Sequence, residues 1–508
     1  MGSDPQYAKY PDLSLAQDIF TLTNSAAPQK SREASLRKLQ NAVSEHKMAP
    51  LYRYLAHPSE GILNHSGEGT TRKPPSPNQR KTNGGASMIA RRRSSLKVDF
   101  PWDNQLYERL KAENEEELES FQKEEDEATE SAGDTEVQAA RGKRAEFWAR
   151  VCDKEKALSS YEAVFEKTGV LGTRIDLVLA IIRIGIFFGD RLGVKKNVDR
   201  AKTLVESGGD WDRRNRLKAY QGLHLLTTRS YNLAAPLLLD SLSTFTSYEL
   251  CSYSNLVVYS VLAGSISLKR VDFKSKVHDA PEIRAILGDG EDKLSALSGA
   301  TAAGPGAGDE EMQDATSATP TPAPIAVNLT ALGSSTAPQE VETPVDFTPL
   351  AGLVRSLYVG NYQSFFHSLA AVEENFLSQD RYLYEHRGWF VREMRLRGYQ
   401  QLLQSYRVVG LGSMANDFGV SVDFLDRYVA NPVNSMVDSA DHKQSDLAKF
   451  IAADRIPCTI DRVNKIIETN RPDDKNKQYA DVVKQGDGLI TKLQKYGQAV
   501  RLRGSERG

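Results

Sequence analysis

Three groupings of residues in this 508-residue chain have types and spacing from which chemistry is built. Gly410, Gly412 and Ala415 in RVVGLGSMA stand in the G-x-G-x-x-A order that brings backbone N–H groups up to a dinucleotide pyrophosphate. Arg213, Arg214, Arg216 and Lys218 crowd the stretch GGDWDRRNRLKAYQGLHLL, as in a patch that binds phosphates. Asp210, Asp212 and His224 in that same stretch supply carboxylates and an imidazole, the ingredients of acid–base or metal chemistry. Each grouping needs a particular element beneath it. The dinucleotide turn requires a buried parallel strand before it and a βαβ unit around it. Here a long amphipathic pattern precedes it and no second βα unit follows, so a turn between helices is expected, with glycine supplying the tight backbone. His224 has no second ligand close in sequence, which favours a packed histidine over a metal ligand. For Arg213, Arg214 and Arg216 three readings stand in order: a solvated face paired with Asp210 and Asp212, a contact with a partner protein, and nucleic acid.

Other chemistry is missing from the sequence. No G-x-x-x-x-G-K-[ST], H-E-x-x-H, H-x-H or G-x-S-x-G occurs, so there is no P-loop, no paired-imidazole zinc hydrolase site and no nucleophile elbow. The expectation is a chain that is not an enzyme, with no catalytic or metal residues, no cofactor and no small-molecule substrate.

The elements that hold these groupings look like helical hairpins. Gly222 and Leu225 precede a turn at Ser230 and Tyr231, and Ala234, Leu238 and Ser241 follow at helical offsets. That small–large–small spacing is what two touching helices of a tetratricopeptide-like repeat need. It recurs with Ala145, Trp148, Ala157, Tyr161 and Val164, and with Gly185 and Ala201. A solenoid of this kind is a binding scaffold.

Composition sets the frame around that array. The 65 basic and 67 acidic side chains leave no overall field to draw the chain to nucleic acid or membrane. Hydrophobic content of 40% is low for a wholly packed chain, and disordered segments are expected. The basic tract HSGEGTTRKPPSPNQRKTNGGASMIARRRSS and the Ala/Thr/Pro-rich tract from SALSGATAAG onward are those segments. Ser94 and Ser95 follow three arginines, which fits phosphorylation by a basophilic kinase; otherwise the stretch is an unmodified basic linker. ENEEELESFQKEEDEATE is expected to be a solvated acidic helix. Cys152, Cys251 and Cys458 lie far apart without a CxxC, as in a reducing compartment. No signal, myristoylation or membrane-spanning pattern is visible, so a soluble intracellular chain is expected. Near the end the period changes from helical to alternating. Ile456, Cys458 and Ile460, a turn from Asp461 to Asn464, then Ile466, form a β-hairpin pattern. A closing helix from about Lys477 to Leu502 carries Tyr479, Val482, Gly486, Ile490, Leu493, Tyr496 and Val500 on one stripe.

GGDWDRRNRLKAYQGLHLLTTRSYNLAAPLLLDSLSTFTSYEL and IDRVNKIIETNRPDDKNKQY resemble the PCI family of proteasome lid subunits, in particular the non-ATPase branch usually numbered seven. DLVLAIIRIGIFFGD, HKMAPLYRYL and FVREMRLRGYQQLLQSYR are similar to that family as well. The resemblance covers most of the chain outside the two low-complexity tracts. The chain departs from the family's pattern there and at NPVNSMVDSADHKQSD, which are expected to be surface-loop insertions.

The resemblance implies a mostly α fold: a TPR-like helical-repeat solenoid, then a PCI module (a helical layer and a winged helix with a small β-sheet), then a C-terminal helix. The expected segments are an N-terminal helical part (1–64), a basic insertion (65–100), repeats (101–287), the Ala/Thr/Pro insertion (288–345), the helical PCI layer (346–409), the winged helix (410–470), and the terminal helix and tail (471–508). It further implies that Ile456, Cys458, Ile460, Ile466 and Ile467 form the wing sheet and its edge contacts. Ile490, Leu493, Tyr496 and Val500 would face a bundle shared with other subunits. The implied role is a non-catalytic scaffold of the 26S proteasome regulatory particle lid, supporting lid assembly and ubiquitin-dependent degradation in cytoplasm and nucleus. Its partners would be the other lid PCI subunits and the regulatory particle, with no nucleic acid and no membrane. Two rivals share the domain class: the paralogous scaffold of the cullin-deneddylating signalosome and a translation-initiation scaffold. A winged-helix nucleic-acid binder is a further alternative, disfavoured by Asp423 and Asp426 against Arg427 in the candidate recognition helix.

Overall fold

The computed structural model describes residues 10–58, 61–63, 100–131, 133–288, 346–426, 446–461, 463–470 and 474–505. Most of both low-complexity tracts, with Ser94 and Ser95, lies outside them, as does Arg427. The chain divides into two compact units, Met1–Tyr358 with His367–Met394, and Val359–Phe366 with Arg395–Gly508.

In the first unit α1 (Leu13–Thr23), α2 (Gln29–Glu45) and α3 (Ala49–Ala56) precede α4 (Asn104–Ser131) and α5 (Asp134–Val151). The acidic sequence is indeed helical, in α4, but one face is not left to solvent. Glu117 accepts a hydrogen bond from Arg150 at 2.7 Å, Glu125 from Arg141 at 2.7 Å and Glu124 from Lys143 at 2.9 Å. These pairs clip α4 to α5. Next come α6 (Lys154–Lys167), α7 (Leu171–Phe188), α8 (Arg191–Gly208), α9 (Trp211–Thr227), α10 (Tyr231–Ser241) and α11 (Tyr253–Ser267).

Three hairpins, α5/α6, α7/α8 and α9/α10, share one joint. A single left-handed residue ends the first helix: Cys152 (φ 63°), Gly189 (φ 73°) or Arg229 (φ 62°). The following residue caps the second helix, and the Asp153 and Asp190 carboxylates accept the N–H groups of Lys156 and Gly193. Small residues then let the helices close. A Cβ on Gly222 would lie 2.6 Å from Leu238 Cδ2, and one on Gly185 2.7 Å from Val194 Cγ2. The turn expected at Ser230 and Tyr231 falls one step earlier. Arg229 turns the chain, Ser230 is the cap, and Tyr231 opens α10 with its side chain buried. The unit continues through α12 (Arg270–Phe273), α13 (Pro281–Leu287) and α14 (Thr348–Val359). α7 and α11 are buried nearly all round, which their continuous apolar runs require.

The second unit takes the first turn of α15 (Tyr362–Val372) and the latter half of α16 (Arg387–Ser405). β1 (Val408–Gly410), α17 (Leu411–Phe418), α18 (Val422–Asp426), α19 (Asp446–Ala452), β2 (Cys458–Asp461), β3 (Ile466–Thr469) and α20 (Asp474–Ser505) follow. The order helix–β1–helices–β2–β3 is that of a winged helix. Its core gathers Tyr399, Leu403, Met414, Phe418, Leu447 and Ile467. Tyr362 stacks on the Phe418 ring at 4.7 Å.

β1 corrects the expectation of a plain turn between helices after α16. It pairs antiparallel with β3, Val409 opposite Ile467, and the sheet order is β1-β3-β2. Three residues are too few to show an alternating pattern, so the strand forms through its tertiary partner.

Candidate functional site

The three sequence groupings behave differently once placed. Gly410 ends β1 and sits just before α17, a strand-to-helix junction of the kind a dinucleotide needs. Every strand pair in the sheet is antiparallel, however, so the described residues form no βαβ crossover and no pyrophosphate cradle.

The arginine cluster is largely internal. Arg216 Nη2 donates to Glu249 Oε1 at 2.6 Å and Arg216 Nε to the same oxygen at 3.2 Å, with its side chain 1% exposed. Tyr220 donates its hydroxyl to that carboxylate at 3.0 Å. Arg213 donates to both carboxylate oxygens of Asp176 on α7, at 2.7 and 3.1 Å, and also pairs with Asp210. The cluster therefore ties α7, α9 and the loop bearing Glu249 together. This corrects both the solvated-face and the partner-contact readings for Arg216, whose charge is spent inside the fold. Arg214, which reaches back to the Gly209 carbonyl at 3.1 Å, is the exposed member. The spacing Arg213–Arg216 against an acidic residue on the preceding repeat could have signalled the pairing; Glu249 was beyond local reading. His224 lies in the α9 seam, 6% exposed.

The wing residues divide by strand position. β3 is the central strand, paired on both sides, so Ile466 and Ile467 cannot supply a free edge. Ile456, Cys458 and Ile467 point into the core, while Ile460 and Ile466 are half-buried. The unpaired edges among the described residues belong to β1 and β2. Tyr406 and Val408 are exposed beside the β1 edge.

α20 is the most open apolar surface among the described residues of this unit. Ile490, Leu493 and Tyr496 are exposed to 55%, 68% and 72%. Val483 and Leu489, which the single stripe missed, are exposed too and widen it. Tyr479, Gly486 and Leu493 repeat every seven positions, as do Val482, Leu489 and Tyr496, and Val483, Ile490 and Gly497. Val500 continues the first series by sequence; its side chain lies outside the described residues. The helix runs unbroken through Gly486, Gly488 and Gly497.

No group of three or more His, Cys, Asp or Glu side chains among the described residues stands where it could hold a metal ion. None of the described helices is long and apolar enough to cross a membrane. Cys152, Cys251 and Cys458 form no disulfide with one another, and burial pushes the Cys152 and Cys251 thiols up, away from reactive thiolate.

Comparison with known proteins supplies the remaining observation. The profile of 26S proteasome subunit RPN7 matches residues 103–276. That of the PCI domain matches 366–471, and that of the 26S proteasome regulatory subunit RPN7/PSMD6 C-terminal helix matches 478–500. The 26S proteasome regulatory subunit rpn7 of Schizosaccharomyces pombe is 35% identical over 97% of both chains. The RPN7 subunit of Saccharomyces cerevisiae is 35% identical over 99% of this chain and 96% of its own. The 26S proteasome non-ATPase regulatory subunit 6 of Dictyostelium discoideum is 31% identical over 98% and 100%. The chain belongs to the RPN7 family. The RPN7 profile spans α4 to α12, the PCI profile includes the winged helix, and the C-terminal helix profile falls on the apolar face of α20.

Proposed function

We infer that this chain is a structural, non-catalytic subunit of the lid of the 26S proteasome regulatory particle. It supports lid assembly and thereby ubiquitin-dependent protein degradation, in cytoplasm and nucleus. The observation that carries this reading is the open face of α20. A two-stranded coiled coil needs two apolar positions in seven, and α20 offers three. A face that wide is suited to more than one neighbouring helix, so Ile490, Leu493, Tyr496 and Val500 would contact a bundle of other lid subunits. The β1 and β2 edges, with Ile460 and Ile466 nearby, are suited to pairing with neighbouring PCI subunits. Arg214 remains a candidate contact on the repeat array, and Ser94 and Ser95 remain candidate kinase targets. The signalosome scaffold is not favoured, because the relatives named above are all proteasome subunits.

Removing Lys477 onward tests the role of α20. The shortened chain should lose only the helical signal of α20 itself and keep its melting transition, yet fail to co-migrate with the regulatory particle on native gels. Normal incorporation would overturn the bundle role. Recovery of the full chain with cullin-deneddylating activity and without proteasomal ATPases would overturn the lid assignment.

A further inference from the structure

The first unit contains a half-open cavity of about 110 Å3 that the scaffold role leaves unused. Its body is apolar, with Ile19 from α1, Leu51 from α3, Phe187 from α7 and Val194 from α8 among its walls. An engineered apolar cavity of about 150 Å3 stays dry and takes benzene, so this volume is on the scale of one ring. The charged groups on the wall are paired or sealed within the packing. Arg191 and Glu385 pair with each other. Asp190 accepts from the Gly193 N–H at 3.0 Å and from Lys154 at 3.4 Å. Arg381 Nη2 donates to the Phe187 carbonyl at 2.6 Å, and Nη1 is enclosed within the packing, out of a ligand's reach.

His224 is different. It lines the cavity, it is 6% exposed, and its ring makes no hydrogen bond among the described residues. Neither ring nitrogen is sealed in the packing as Arg381 Nη1 is. Burial, reinforced by the nearby Arg191 charge, lowers its pKa, so the imidazole is neutral at neutral pH and can donate or accept. A ring nitrogen that opens onto the cavity without a protein partner is free to bond a polar group of whatever occupies it.

We propose that this cavity binds a single uncharged ring bearing one hydroxyl, with the ring among Ile19, Leu51, Phe187 and Val194 and the hydroxyl bonded to His224. A charged ring gains nothing there, since the wall charges are paired or enclosed. The same chemistry comes from two sources, a free phenolic compound or a tyrosine side chain of a neighbouring subunit.

The probes are p-cresol and toluene, titrated against the full chain by ligand-observed NMR. p-Cresol is expected to bind about tenfold tighter than toluene, the value of one hydrogen bond. His224→Phe should bring that ratio to about one, and His224→Gln, which keeps a hydrogen-bonding group, should retain most of it. Ala16→Leu, which fills the cavity from α1, should abolish both while the melting transition persists. Failure of both rings to saturate the folded chain, an unchanged ratio in His224→Phe, or undiminished binding in Ala16→Leu would each overturn the proposal. Repeating the titration on the assembled regulatory particle distinguishes the sources: retained binding identifies a free ligand, and binding lost on assembly identifies a side chain already in place. The titration of the isolated chain stands whether or not the lid assignment does.

Discussion

A Cβ on Gly222 would stand 2.6 and 2.8 Å from the tip and branch of the buried Leu238. Gly222→Ala should therefore cost about 1–3 kcal/mol through overpacking, visible as a lower melting temperature. At Gly486 nothing lies within 4 Å, and Gly486→Ala should gain up to about 1 kcal/mol of helix propensity, seen as slower hydrogen exchange in α20. The two glycines have the same chemistry and opposite meaning. His224 makes a pH prediction. Its folded pKa lies below the ordinary 6.5, so the unfolded chain binds the proton more readily. The stability this residue contributes is present above about pH 6.5 and is lost as pH falls through its depressed folded value. Denaturant titrations between pH 7.5 and 5.5 should show a loss that is smaller in His224→Phe.

Between elements, the Arg216–Glu249 pair sets the cost of breaking a brace. Both side chains are withdrawn from water, so Glu249→Ala leaves a buried guanidinium short of its main partner and should cost about 3 kcal/mol. Replacing both, as Arg216→Met with Glu249→Leu, should recover part of that loss in denaturant midpoint, because no unpaired charge remains. α20 makes the reverse prediction. Ile490→Ala and Leu493→Ala remove side chains that are exposed in this chain, so stability should change by less than about 0.5 kcal/mol. Incorporation into the particle should suffer instead, since each side chain forfeits about 1.5–3 kcal/mol of burial at the interface. Thermal melts and quantitative co-purification separate the two effects.

For the molecule as a whole, the helical architecture was legible because its signals are local. Gly222 with Leu225 on α9, and Ala234 with Leu238 and Ser241 on α10, sit at offsets fixed by the helix period, and the stripe on α20 can be counted along the chain. β1 was not legible, since Val408–Gly410 is a strand only through β3, which arrives 56 residues later in the pairing Gly410 with Ile466. The same holds for the wing. Alternation marked Ile456, Cys458 and Ile460 as extended, but whether Ile466 and Ile467 lie at an edge or in the centre depends on which strands flank them.

Sequence by itself determined the helical class, the hairpin seams, the family resemblance and the lack of familiar catalytic motifs, because each of these is a pattern of neighbours along one chain. Tertiary structure decided which charges are spent internally at Arg213 and Arg216, which strand edges remain open, and that His224 faces a cavity. Those outcomes turn on Asp176, Glu249, Ile467 and Phe187 coming together from distant positions, and contact energies between such groups are set by distance in space.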